Sequence, residues 1–148
     1  MASNIFNNFL QKLLASYLVT GADIRCALLM TNTTADSDKD AINFVANITT
    51  LDECDAAGYA RVAIGTEASN VDDANDRAEF DGADVSFTGL GGDATRDIQG
   101  ALIFKFVTDD TDSVPIAFID FTADIALAAT QIDVPWSSSG ILQATQAA

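Results

Sequence analysis

RDIQGALIFKF (residues 96–106), VTDDTDS (107–113) and VPIAFIDF (114–121) are the stretch whose reading decides the fold. In the first run Ile98, Gly100, Leu102, Phe104 and Phe106 alternate with Gln99, Ala101, Ile103 and Lys105, which is the period of a strand. The run Val114–Phe121 is apolar on both faces until Asp120, so both strands are expected to be buried. The turn between them, Asp109–Ser113, is acidic and expected to be exposed. A third short strand, QIDVPW (131–136), sets Ile132, Val134 and Trp136 on one side. Pro135 has no N–H to give to a ladder, which places that strand at an edge. Residues 96–136 are therefore read as the central strands of the chain.

Working outward, DIRCALLMT (23–31) has two apolar faces and reads as an interior strand. YARVAIGT (59–66), Arg77–Asp81 and Asp84–Thr88 read as further strands, the last two with the alternation of a half-buried antiparallel sheet. DAINFVANI (40–48) reads as a short helix with Ile42, Val45 and Ala46 inward, and residues 67–76 as a loop or turn. At the N-terminus, Ile5, Phe6, Phe9, Leu10, Leu13, Leu14, Tyr17 and Leu18 recur at helical spacing. They predict an amphipathic helix over 4–18, within an N-terminal region 1–20, capped by Ser3 or Asn4 and ended at Gly21. Eight large apolar groups require cover, as a core or subunit-interface face. The expected fold class is mainly β: an antiparallel β-sandwich with an N-terminal amphipathic helix and one short additional helix, as a single domain over 1–148.

The chain has 148 residues, 22 acids against 7 bases, a net charge of −15 and no histidine. This balance opposes nucleic-acid and anionic-membrane binding, which call for clustered Lys and Arg. No run approaches the roughly 18 apolar residues of a membrane span, and Lys12 interrupts a start that has no basic leader, so no signal peptide is expected. Without histidine the usual nucleophilic triads are excluded. The acids of D-x-D-x-D at Asp36, Asp38 and Asp40 invite a calcium reading, but Ala41 and Asn47 stand where an EF-hand needs Gly and Glu. Gly89–Thr95 is glycine-rich without the lysine of a phosphate loop. Cys26 lies in an apolar run and Cys54 in a polar loop, and two cysteines make no zinc site. No catalytic residue, cofactor or metal ligand is expected; the protein reads as a non-enzyme. Protein-interface candidates are Phe6, Phe9, Leu13 and Tyr17 on the helix, Asp109, Asp110 and Asp112 on the turn, and Trp136 at the edge.

The order of these pieces is distinctive. NFLQKLL (8–14) precedes DIRCALLMT, then GYAR (58–61), ADVSFT (83–88), DIQGALIFKF (97–106), VPIAFIDF and a closing VPWSSSGIL (134–142). This layout resembles a group of small tailed-bacteriophage virion structural proteins of the head decoration, or cement, kind. The resemblance spans nearly the whole chain, with Gln99 where the group has an arginine and Ile103-Phe104-Lys105 where it has Ile-Tyr-Lys. It implies a capsid-surface protein, assembled in the host cytoplasm, that binds the major capsid protein and associates with itself, with a homotrimer the natural guess on an icosahedral lattice. A tail, neck or fibre-associated virion protein and a surface carbohydrate-binding module are the alternatives.

Overall fold

The structure, a computed structural model, describes residues 5–145. It is mainly β with antiparallel sheets and an N-terminal helix, as the sequence leads one to expect. The chain divides into two compact units. One takes residues 23–63 and 85–134, the other the described parts of 1–22, 64–84 and 135–148.

The larger unit is built on a four-stranded sheet of order β2-β1-β6-β7, with β1 at Asp23–Met30, β2 at Val62–Ala63, β6 at Ile98–Phe106 and β7 at Val114–Ile125. β1 and β6 are interior because both their faces are apolar. Ala27 and Leu29 on β1 share a face with Leu102 and Phe104 on β6, and Ala35, Val45 and Ile48 close over it. The opposite face carries Ile24, Cys26, Leu28, Ala101 and Ile103, all buried. Gly100 sits where β7 comes closest. A Cβ there would lie 2.8 Å from the Phe118 ring and press on the Ile119 carbonyl. A second sheet pairs β5 (Val85–Thr88) with β8 (Gln131–Val134) and buries Val85, Phe87, Ile132 and Val134.

The smaller unit is a three-stranded sheet of order β3-β4-β9, with β3 at Ala68–Asp72, β4 at Arg77–Asp81 and β9 at Leu142–Thr145. Helix α1, Asn7–Leu14, lies against it and runs on as a π-helical turn, Ala15–Val19. Gly21 follows at φ 65°, a conformation glycine adopts without strain. Ala78 and Phe80 are the buried centre of this unit.

Several local expectations change. Residues 67–76 form strand β3 and a four-residue turn into β4 rather than a loop or turn alone. The short helix (α2) sits earlier, at Ala35–Asp38, and 40–48 keeps only a 3-10 turn, Val45–Asn47, with Ala46 exposed. The strand expected over 59–66 shrinks to Val62–Ala63, and the closing segment adds β9. Cys54 lies in a loop, as expected, and is buried there, and both cysteines are free thiols. β7 is an edge strand. Among the described residues no strand pairs with its outer side and none of its own residues is buried, although its sequence reads as an interior strand. The proposed caps Ser3 and Asn4 lie outside the described residues; the N-cap position is Phe6, which makes no side-chain cap bond.

Candidate functional site

The apolar face of the helix is expected to be covered as a core or subunit-interface face, and within the chain only part of it is buried. Asn7 and Gln11, the polar residues, turn toward the sheet. The Gln11 amide donates to the Ser69 carbonyl (2.9 Å), and the Ser69 hydroxyl donates to the Gln11 carbonyl (3.0 Å). Asn7 donates to Asp73 (3.2 Å) and Asp76 (3.4 Å). Of the apolar set, Leu10 and Leu14 are half-buried and Leu18 is buried at 3% exposure. The rest of the set points outward: Phe6 is 80% exposed, Phe9 56%, Leu13 49% and Tyr17 45%. Phe9 and Leu13 stand four positions apart on one face of α1, with Phe6 at its N-cap and Tyr17 in the π-helical turn that follows, and together they are called the stripe below. Four of the eight sequence-predicted site residues are thus brought together on one surface, and the exposed Ile5 flanks them.

The acidic turn is a different kind of site from the one expected. Asp110 is drawn in to Arg61, whose Nη2 donates to Oδ2 at 2.8 Å and whose Nη1 donates to Oδ1 at 2.5 Å. The same guanidinium donates to Glu53 from Nε (2.8 Å) and Nη2 (2.6 Å). Tyr59 adds its hydroxyl, which donates to Glu53 (2.7 Å) and accepts from the Leu28 amide (3.1 Å). Arg61 also lies over the Phe104 ring, 5.0 Å from its centroid. Hydrogen bonding from Arg61 holds the Asp110 carboxyl below the usual carboxylate range, and burial pushes the Tyr59 hydroxyl up. Asp112 accepts from the Thr108 (2.9 Å) and Asp109 (3.0 Å) amides, and Asp109 accepts from the Thr111 amide and hydroxyl. Ser113, expected to be exposed, is fully buried and donates to the Asp109 carbonyl (2.6 Å). Asp109 and Asp112 hold their own turn closed and Asp110 ties it to Arg61, so all three carboxylates are already engaged within the chain.

Trp136 is half-buried. Its indole N–H donates to the Ala83 carbonyl (2.7 Å) and its amide to Asp84 (2.9 Å), which ties the start of the closing segment to the end of β4. Sequence reasoning did not find the Glu53–Tyr59–Arg61–Asp110 network, because Arg61 and Asp110 lie 49 positions apart and no local pattern joins them.

Among the described residues no group of three or more His, Cys, Asp or Glu side chains is placed to hold a metal ion. Asp36 of the D-x-D-x-D segment pairs with Lys39, and Asp38 takes bonds from Thr34 and Thr49. Burial pushes the Cys26 thiol up to about 12, far from a reactive thiolate. Two pockets of the larger unit, one beside Ile42, Ile48 and Phe118 and one beside Ala60 and Phe87, measure about 120 and 140 Å³. Both fall below the roughly 300–1,000 Å³ of sites that enclose a metabolite. No family model matches the chain, and no curated protein or solved structure is similar to it.

Proposed function

We propose that the protein is a non-enzymatic structural component of a tailed-phage virion, a capsid decoration (cement) protein that binds and stabilises the major capsid shell. The observation that carries this reading is the exposed stripe of Phe6, Phe9, Leu13 and Tyr17 along the N-cap of α1, α1 itself and the π-helical turn after it. The largest apolar patch on a protein is often functional, and neighbouring exposed aromatic and leucine side chains suit an association surface. The layout of the chain adds the resemblance to small virion proteins. The interior adds a scaffold whose described buried side-chain polar atoms all have partners.

A cement protein works by mass action. It binds only the assembled shell, bridges neighbouring subunits, and so shifts the balance toward the closed particle. In this reading β1, β6 and the Arg61 network are scaffold, and the capsid surface is where the protein resides. The engaged carboxylates of Asp109, Asp110 and Asp112 make that turn a poor electrostatic dock for a basic shell. Trp136, half-buried with its indole N–H given to the Ala83 carbonyl, serves the chain as a tie between segments.

The test is quantitative gel densitometry of purified particles against the major capsid protein. Decoration requires copies in the hundreds, comparable in number to capsid subunits. Six to twelve copies per particle would overturn it in favour of a neck or tail protein. Retention on a sugar column would point to a carbohydrate module.

A further inference from the structure

We infer that the α1 stripe is the self-association surface of this protein, and that its occupant is the same stripe on a second copy of the chain. This rests on reading the protein as an assembling structural component.

The charge pattern selects the occupant. Residues 1–22 contain Lys12 and no acid at all, so every one of the 22 acids lies in the rest of the chain. Two copies that each carry −15 repel over most of their surface. They approach with least repulsion at the acid-free helix. The described acids bonded to it, Asp73 and Asp76, sit on its sheet side against Asn7. A basic partner would be drawn to the acidic surfaces instead. An anionic membrane would be repelled by the whole, and the polar flank of α1 offers only Lys12 to its headgroups.

Size and composition agree. The exposed parts of Phe6, Phe9, Leu13 and Tyr17 sum to roughly 450 Å², and two such stripes bury roughly 900 Å² of mostly apolar area. With a rim of Asn8, Lys12 and Ser16 this reaches the roughly 1,000 Å² at which specific interfaces begin. Aromatic residues and leucine at the centre with an uncharged or weakly charged rim is the composition of a homo-oligomer contact. A patch meeting its own copy is the isologous arrangement of closed symmetric assemblies.

The association has a distinctive salt response. Screening removes repulsion between the acidic bodies and leaves the apolar contact, so self-assembly strengthens from low salt to about 1 M NaCl. Docking of acids on a basic partner would weaken over the same range.

The experiment is light scattering coupled to size-exclusion chromatography on the full chain, at low and high salt, for wild type, Phe9→Asp and Leu13→Asp. Wild type is expected at twice the 15.5 kDa chain mass, more completely at high salt. Both variants are expected at the monomer mass with an unchanged circular dichroism spectrum, and with the unfolding midpoint that wild type shows at low concentration and low salt, where it too is monomeric. A Phe9→Cys variant supplies a second readout that needs no disruption. The native thiols are buried, at 0% and 5% exposure, so a short bis-maleimide would join copies only through position 9. A monomeric wild type at every salt concentration, variants that keep the wild-type mass, or no cross-linking through position 9 would each overturn the inference. Binding of a monomeric wild type to phosphatidylglycerol vesicles, abolished by Phe9→Asp, would reassign the stripe to a membrane. Particle stoichiometry plays no part in these measurements, so the cement reading and the helix-pairing inference fail separately.

Discussion

Asp110 shows how a residue's surroundings replace the role its type suggests. In the sequence it is one of three acids in a polar turn. In the fold it is half of a two-point contact with Arg61, which Glu53 shares. Its folded carboxyl titrates below the unfolded one, so the stabilisation is present above the unfolded value near 3.9 and is lost as pH falls through the depressed folded value. Asp110→Asn is expected to cost about 1–2 kcal/mol at neutral pH, a figure reduced for the partial exposure of the pair. The gap from wild type closes as pH falls below about 4. Urea unfolding of both proteins at pH 7 and pH 3 measures it; an equal gap at both pH values would refute the role. Arg61→Met removes the cation and leaves two carboxylates side by side, and is expected to cost more, about 2–4 kcal/mol.

At the scale of elements, helix α1 shows what a periodic pattern leaves open. Eight apolar residues call for cover by a core or by another subunit, and a single helix on a three-stranded sheet is covered only on the side it lies on. Leu18 is covered and Phe9 is not. Leu18→Ala is therefore expected to cost about 2–4 kcal/mol in unfolding free energy through the cavity it leaves. Phe9→Ser is expected to change the unfolding free energy of the monomer by no more than about 0.5 kcal/mol. Chemical denaturation of the two variants at low concentration and low salt, where the monomer is the unfolding species, compares them directly. Similar losses for both would mean that the stripe is covered within the chain. β7 makes the same point for strands. Its apolar content equals that of an interior strand, but strand order leaves it at the sheet edge, where Pro115, Asp120 and Asp124 discourage another strand from adding.

The whole molecule is dominated by its charge. With 22 acids and 7 bases, self-repulsion opposes the folded state at low ionic strength. The Debye length shortens from about 30 Å at 0.01 M to about 3 Å at 1 M, so added salt should raise the melting temperature by several degrees. Differential scanning calorimetry in sodium chloride from low to molar concentration checks this, and a flat response would show that the acids are locally compensated. Seven bases serve several of the acids. Arg25 pairs with Asp23, Arg77 with Asp72 and Glu79, and Arg96 with Asp52, leaving acids in excess.

Periodicity and apolar content alone determined the mainly β class, the hairpin at 96–121, the inward sets of β1, β4, β5 and β6, and the existence of α1. These are local properties: a period of two or of 3.6 fixes which residues share a face whatever the neighbours are. Glycine at 100 and at 21 was also legible as an alternation member and a helix end, though not the reason for the first. Only the tertiary structure decided which faces are covered. Strand order put β7 at an edge, one-sided packing left Phe6, Phe9, Leu13 and Tyr17 open, and a 49-residue separation closed between Arg61 and Asp110. Burial depends on what stands opposite a side chain, and the partner across a sheet or under a helix is chosen by the whole chain rather than by the segment that carries the side chain.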